Sequence, residues 1–233
     1  MGILLAVLGV GLGFYLVEFL FCRVDCPRVV GHRGAGGMAP GNTLAAVDAG
    51  IQAGADALEV DIHRTRDGVL VVMHDATVDR TTDGSGAIAD LTWEEIQQLD
   101  AGSRFSSEYA GTPVPSLRQV IDRVRSAECD LVIEVKEPEL YPGMEGDLAD
   151  LLDEVGEAFS ERVVIISFDV EWLRRFHEVA PHLRLGQLHL WGGRWPRYEG
   201  TAYVDVYWRS VLLDPTLVLR ARLRGYQVWV WTA

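Results

Sequence analysis

The feature that most constrains this chain is a set of charged side chains inside two otherwise apolar strand patterns. In the segment 58–63, Glu59 and Asp61 fall on one face of a strand while aliphatic residues fill the other. A second strand pattern downstream carries Glu134 and Lys136 on one face in the same way. Carboxylates on buried strands are unfavourable unless a cation lies between them. The two strands therefore predict a site rather than a surface.

The chain alternates short apolar runs with amphipathic segments, which is typical of a parallel α/β architecture. Strands are predicted near 28–32, 56–62, 131–136, 163–168, 183–189, 202–208 and 227–232. Helices are predicted over 42–53, 116–125, 147–159, 170–179 and 215–223, with Asn42-Thr43 and Asp147 as caps. This order predicts a (β/α)8 barrel of the TIM type, in which functional groups gather at the ends of the strands.

Two irregularities interrupt this alternation. The turn signal Asp67-Gly68 predicts a hairpin, so the strand before His74 runs antiparallel to its predecessor, and residues 64–115 form an insertion over the barrel mouth. The last strand pattern, 227–232, is followed by no further helix or strand, which leaves the count one βα unit short. Either the chain is a fragment, or another segment or subunit closes the barrel.

The N-terminal segment is predicted to be a membrane anchor. Residues 3–21 are almost uniformly apolar and are about long enough to cross a bilayer as a helix. No basic residues precede this run and no small-residue cleavage site follows it, which argues against a removable signal peptide. We therefore predict a single-pass membrane anchor over 1–24 and a barrel over 28–233, with the side of the membrane left open. The alternative is a buried or signal-like helix.

The overall charge limits the class of partner. The formal net charge is −13, and the basic residues are spread thinly, so the chain is not expected to bind nucleic acid. A divalent cation and a small-molecule or lipid phosphodiester fit this balance better. Lys136 is the one lysine of the chain and lies within the second acidic strand, which hints that a compact ammonium group is needed there.

Several motifs in this chain occur in the same order in a known family. They read Gly31-His32-Arg33-Gly34-Ala35, Asn42-Thr43-Leu44, Glu59-Val60-Asp61, His74-Asp75-Ala76-Thr77-Val78-Asp79-Arg80-Thr81-Thr82, Pro115-Ser116-Leu117, Ile133-Glu134-Val135-Lys136 and Val230-Trp231-Thr232. In these motifs the chain resembles the glycerophosphodiester phosphodiesterases. The resemblance implies a barrel with a small insertion, a divalent cation, and hydrolysis of glycerophosphodiesters or lysophospholipids to an alcohol and glycerol 3-phosphate or lysophosphatidate.

The resemblance implies that Glu59, Asp61 and Glu134 are the metal ligands. Independently, an all-carboxylate set favours a hard cation, Ca²⁺ or Mg²⁺, over zinc. The alternative is a buried salt-bridge network in which these carboxylates pair only with Arg33 and Lys136.

The resemblance also suggests roles for four basic side chains. His32 and His74 would be the acid–base pair, because breaking a phosphodiester needs one proton removed and one delivered. Arg33 and Lys136 would hold the phosphate. The attacking group would be either the glycerol hydroxyl next to the phosphate or water. The simpler alternatives are that the histidines are structural and that the two cations only neutralise the carboxylates.

Other residues have weaker claims or depart from the family pattern. His63 and Asp75 are candidates for supporting roles, and Trp231 could pack on the glycerol or the leaving alcohol. Where the family usually has Pro-Glu-Asn-Thr, this chain has Gly41 in place of the glutamate, so a carboxylate expected beside the first strand is absent. Two rival functions therefore stay open, a related barrel phospholipase and a non-catalytic barrel that binds phosphorylated ligands at the membrane.

Overall fold

The computed structural model describes residues 28–190, 200–214 and 216–231. The strands are β1 (Val30–Gly31), β2 (Ala57–Arg64), β3 (Leu70–Val72), β4 (Asp130–Val135), β5 (Val163–Ser167), β6 (Arg184–His189), β7 (Tyr203–Tyr207) and β8 (Gln227–Trp231). The helices are α1 (Leu44–Gln52), α2 (Trp93–Ile96), α3 (Leu117–Val124), α4 (Met144–Val155), α5 (Glu157–Ser160), α6 (Val170–Val179), α7 (Trp208–Leu213) and α8 (Leu217–Arg222). Single-turn 3-10 helices cover Ile88–Asp90, Ser107–Tyr109 and Pro138–Leu140.

The sheet is a curved, barrel-like wall of parallel strands. Its order is β1, β2, β4, β5, β6, β7 and β8, and β3 pairs antiparallel with β2 outside this path. Alternate residues of the strands, such as Leu58 and Ile133, pack on the helices in the largest core cluster. The intervening residues form one inner cluster that draws members from β2 through β7, with Val30 and Trp229 packed against it. Strands from both ends of the sheet share this cluster, so the sheet curls around it.

The predicted α/β barrel-like architecture is confirmed by this arrangement. All the predicted strands are found with bounds within two residues of those expected from the sequence. The predicted eight-unit count stays a prediction, because over the described residues the sheet has seven parallel strands and one antiparallel strand. The predicted anchor and the end of the last predicted strand fall in residues 1–27 and 232–233, outside the part of the chain that the structure describes.

The predicted hairpin is also confirmed. Ile62 pairs with Val72 and Arg64 with Leu70 in the antiparallel register of β2 and β3. The segment predicted as an insertion, 64–115, has a separate apolar cluster that includes Ile88 and Val114. This cluster gives the segment an interior of its own beside the barrel.

One predicted helix is wrong in detail and one observed helix was not predicted. The helix predicted over 147–159 starts at Met144, after Gly143 in a left-handed conformation, and is interrupted at Gly156. Asp147 does not cap it, because its carboxylate accepts a 2.5 Å hydrogen bond from Arg64. Helix α7 was not predicted, since its residues read as the end of a strand followed by a loop.

The membrane prediction is corrected. The predicted anchor over 1–24 lies outside the described residues. Among the residues that are described, no helix is long and apolar enough to span a membrane. The longest of them, α4, has 12 residues, about 18 Å against the roughly 30 Å of a hydrocarbon core. We therefore withdraw the predicted single-pass membrane localisation, which this finding contradicts.

Candidate active site

Three carboxylates from two neighbouring strands meet inside the barrel. Parallel pairing places Asp61 of β2 directly opposite Glu134 of β4, and Glu59 lies two residues earlier on the same face of β2. One carboxylate oxygen from each residue lies within 4.8 Å of the others. Asp61 is only 1% exposed and Glu59 is 7% exposed. The structure thus brings together the residues that the sequence suggested as metal ligands.

The carboxylates repel one another in the absence of a cation. Burial, reinforced by Asp61 and Glu134, raises the pKa of Glu59 well above its ordinary value. Burial and Asp61 raise the pKa of Glu134 to about 7. Glu59 Oε1 is also buried without a hydrogen-bond partner among the described residues. The raised pKa values of Glu59 and Glu134 mean that Arg33 and Lys136 do not fully offset burial and mutual repulsion, and a divalent cation bound here would favour the ionised carboxylates.

Two cations border the carboxylates. Lys136 Nζ lies 2.8 Å from Glu134 Oε1 and 3.7 Å from Asp61 Oδ1, and Arg33 Nε lies 3.4 Å from Asp61 Oδ2. Burial by itself would lower the pKa of Lys136, but the carboxylates of Glu134 and Asp61 outweigh burial and raise it. The salt-bridge network considered as an alternative is therefore present, and it leaves Glu59 Oε1 unpaired.

The loop after β1 holds the carboxylates in place. The Arg33 backbone N–H donates to Glu59 Oε2 at 2.8 Å. Asn42 Nδ2 donates to Asp61 Oδ2 at 2.8 Å, and its Oδ1 accepts from the Asp61 N–H at 3.2 Å. Arg33 and Asn42 both have positive φ, 52° and 62°, which costs of order 1 kcal/mol or more for a side chain other than glycine. The sequence identified Asn42 only as part of a helix cap, whereas the cap is Thr43.

His74 is held by an acidic neighbour and faces the lysine. Its Nδ1 lies 2.6 Å from Asp75 Oδ1, and Arg80 donates two hydrogen bonds to the same carboxylate. These bonds, chiefly those of Arg80, hold the pKa of Asp75 far below its usual range. An ionised Asp75 requires a proton on Nδ1, which leaves Nε2 as the nitrogen directed at Lys136 Nζ, 3.4 Å away. Asp75 thus orients the ring, and Arg80, which the sequence analysis missed, orients Asp75.

His32 lines the same opening as His74. His32 and His74 both line a cavity of about 330 Å³ at the mouth of the barrel. His32 keeps part of its ring exposed to solvent. Burial of the remainder, followed by the charge of Arg33, lowers its pKa. A neutral imidazole at near-neutral pH is therefore favoured at this position.

A buried chain of hydrogen bonds supports His74 from behind. His63 is fully buried, its Nε2 lies 3.1 Å from the His74 carbonyl oxygen, and its Nδ1 lies 2.9 Å from the Tyr141 hydroxyl. Because a carbonyl only accepts, Nε2 carries the proton and Tyr141 donates to Nδ1. Burial lowers the pKa of His63 to about 4, so the ring is neutral. Tyr141 had no signal in the sequence, because its partner is 78 residues away.

The last strands contribute aromatic side chains and one isolated carboxyl group, that of Asp205, to the inside of the barrel. Trp231 contacts Phe168 edge-on, with ring centroids 6.1 Å apart, and Tyr207 at 5.2 Å. Asp205 is 5% exposed, and its Oδ1 has no partner among the described residues. Burial, with a smaller effect of Glu134, raises the pKa of Asp205 to about 8. The alternation of β7 places Asp205 inside the barrel, a signal that the sequence analysis overlooked.

Comparison with known proteins gives a consistent result. The model of the glycerophosphoryl diester phosphodiesterase family matches residues 32–233. The glycerophosphodiester phosphodiesterase of Caldanaerobacter subterraneus subsp. tengcongensis is 39% identical over 210 residues, which cover 88% of this chain and 84% of that protein. The glycerophosphodiester phosphodiesterase of Bacillus subtilis is 39% identical over 171 residues, 68% of this chain and 58% of that protein.

A solved structure is similar over almost the same span. A phosphodiesterase of Oleispira antarctica, in complex with the product sn-glycerol-3-phosphate, superposes with a TM-score of 0.82 and 27% sequence identity. The match covers 89% of this chain and 85% of that one.

Proposed function

The chain belongs to the glycerophosphoryl diester phosphodiesterase family, and from this premise we propose that it hydrolyses glycerophosphodiesters to an alcohol and glycerol 3-phosphate. The observation that carries the proposal is the convergence of Glu59, Asp61 and Glu134 beside Arg33 and Lys136, with His74 within 3.4 Å of Lys136 and His32 on the wall of the adjoining cavity. These groups supply what a phosphodiester hydrolase needs, namely charge stabilisation at phosphorus and two proton transfers.

The cofactor in this proposal is a divalent cation. Glu59, Asp61 and Glu134 would hold it, and Glu59 Oε1, buried and without a partner among the described residues, fits the role of a ligand atom. An all-oxygen set suits Mg²⁺ or Ca²⁺. When bound, such a cation polarises the phosphoryl oxygens and offsets the charge that builds on them.

The acid–base roles follow from the surroundings of the two histidines. The lowered pKa of His32 favours its neutral form, so it accepts a proton from the attacking group, which is either water or the glycerol hydroxyl next to the phosphate. In the acid role His74 carries a proton on both nitrogens, donates the Nε2 proton to the oxygen of the leaving alcohol and keeps its Nδ1–H bond to Asp75. Arg33 and Lys136 hold the non-bridging phosphate oxygens. One P–O bond forms to the attacking oxygen and the P–O bond to the alcohol breaks. Attack by water gives glycerol 3-phosphate directly, whereas attack by the glycerol hydroxyl gives a cyclic phosphate that water then opens to glycerol 3-phosphate.

The test is a product assay on the purified chain. With Mg²⁺ or Ca²⁺ added, wild type is expected to release glycerol 3-phosphate from glycerophosphocholine. This release is expected to stop when the metal is chelated. His32→Ala and Glu59→Ala are expected to lose at least about 100-fold in kcat/KM. Glu139→Ala, which changes an exposed glutamate, is the matched control.

Other outcomes would support the rival functions. A wild type that is silent with both metals but still binds phosphate esters would favour the non-catalytic barrel. Cleavage of phosphatidylinositol but of no glycerophosphodiester would favour the related phospholipase.

A further inference from the structure

The cavity at the barrel mouth extends away from the carboxylates. Its volume is about 330 Å³, and its wall includes both histidines, Arg33, Arg80, Arg104 and Phe105. The carboxylates of the cluster and Lys136 do not line it. It therefore begins at the proposed acid–base pair and runs toward the segment 64–115, which is where a substituent of the reacting phosphorus has room.

The charge of this cavity is opposite to that of the chain. The formal net charge is −13, yet three arginines and two histidines line the cavity, and no Asp or Glu is among the described residues that do. Gly41 also lies on the wall, and a Cβ placed there would be 3.2 Å from Arg33 Cβ. A glutamate at this position, as the family pattern has, would put an acidic side chain beside Arg33. With glycine there, the ionisable side chains among the described residues of the wall are all basic.

The three arginines differ in how far they are already neutralised. Arg80 is paired with Asp75, and Arg33 lies 3.4 Å from Asp61. Arg104 donates through Nε to the Thr82 carbonyl oxygen at 2.5 Å, and in the described ranges its charge acts on the exposed Asp79 carboxylate without a salt bridge between them. The Nε bond fixes the guanidinium plane without neutralising its charge. Arg104 is thus the side chain of this wall best suited to a second anion.

We propose that this cavity receives the leaving alcohol and selects glycerophosphodiesters whose alcohol carries a negative charge, with Arg104 as the specificity-determining residue. The proposal rests on the proposed function and adds a substrate class to it. A guanidinium binds phosphate or carboxylate oxygens through paired hydrogen bonds. A cationic alcohol such as choline would meet like charge on the same wall.

The experiment compares two substrates that differ by one phosphate group on the leaving alcohol. The purified full chain with Mg²⁺ or Ca²⁺ is given glycerophosphoinositol or glycerophosphoinositol 4-phosphate, and release of glycerol 3-phosphate is measured. We expect kcat/KM to be about tenfold higher for the 4-phosphate, the effect of about one charge-assisted hydrogen bond. Raising the ionic strength should reduce this ratio, because the arginines at the rim are screened by salt.

Variants assign the preference to one side chain. Arg104→Gln should bring the ratio of the two kcat/KM values close to one, and Arg104→Lys should retain a part of it. The matched control is Arg118→Gln, an arginine paired with Glu154 away from the cavity, which should keep the wild-type ratio. If Arg104→Gln does not fold, the salt dependence of the wild-type ratio of kcat/KM values tests the proposed charge selectivity instead.

The outcomes separate this inference from the proposed function. If neither these two substrates nor glycerophosphocholine is cleaved, the proposed function fails, whereas cleavage of glycerophosphocholine alone overturns only the inference. If both are cleaved at equal rates, or if glycerophosphocholine is preferred to the 4-phosphate, the enzyme is a phosphodiesterase without this selectivity and the inference is overturned. A preference that survives in Arg104→Gln overturns the assignment to Arg104.

Discussion

The two halves of the barrel share one architecture but differ in what they direct inward. The inward positions of β2 and β4 carry Glu59, Asp61 and Glu134. The inward positions of β5 to β8 carry aliphatic and aromatic residues, including Ile166 and Trp229. Both halves have aliphatic outer faces packed on helices. The difference shows that the fold is specified by the outer faces, while the chemistry is confined to the inner face of one half.

The boundary between the halves is sharp. Glu134 faces Asp61 on one side and Ile166 on the other. The charged wall therefore meets the apolar wall between the adjacent strands β4 and β5, and the apolar neighbours lower the local dielectric beside the carboxylates and strengthen their interactions. Asp205, on β7, is the exception in the apolar half.

The largest test of this contrast is Asp61→Asn in the charged half. The change keeps the shape of the side chain but removes the most buried charge of the cluster. We expect kcat/KM to fall by about 1,000-fold or more and metal affinity to fall in parallel. Steady-state assays and titration calorimetry with Mg²⁺ or Ca²⁺ would measure both. If this variant bound the metal as tightly as wild type does, the assignment of Asp61 as a metal ligand would be wrong.

An intermediate effect is expected from Tyr141→Phe, which changes a residue that touches no reacting atom. Loss of the hydroxyl leaves His63 Nδ1 buried without its donor, so His74 is held less firmly. We expect kcat to fall about three- to tenfold with little change in KM.

Tyr109→Phe, which removes a hydroxyl from an exposed 3.3 Å contact, is the control for that measurement. A purely structural role would instead lower the melting temperature while leaving kcat and its pH profile unchanged. That result would remove Tyr141 from the positioning network.

The smallest effect on activity is expected from Asp205→Asn, in the apolar half, with kcat/KM within about twofold of wild type. Stability should respond instead. The pKa of Asp205 is about 8 in the folded protein and ordinary in the unfolded chain, so the folded state holds a proton that the unfolded state releases between about pH 4 and pH 8. Wild-type stability therefore falls as pH rises through this window.

Asparagine does not titrate in this range. The melting temperature of metal-free Asp205→Asn should therefore rise relative to that of metal-free wild type from pH 5 to pH 8. Each pH unit is worth up to about 1.4 kcal/mol. Asp150→Asn, at an exposed helix position, should show no such trend. A constant offset between wild type and Asp205→Asn would show that Asp205 ionises normally.

The sequence predicted the parts of this molecule that depend on period and register. Strands of period two gave the correct bounds, and parallel pairing brings i and i+2 carboxylates of β2 beside Glu134. It did not predict Asn42, Arg80 or Tyr141 as partners of the site. Their positions depend on loop backbone and on contacts between distant segments, for which the sequence has no local pattern. The helix over 147–159 failed for a local reason, since Gly156 at φ 98° ends α4.

The left-handed residues of the loop after β1 have a consequence for how substitutions are interpreted. Arg33 and Asn42 are kept in unfavourable backbone conformations by hydrogen bonds to the side chains of Glu59 and Asp61. Shortening either acidic side chain releases the loop as well as a ligand atom. Loss of turnover in such variants therefore has two causes, the missing ligand atom and the released loop. Hydrogen exchange at the amides of residues 33 and 42 would distinguish them.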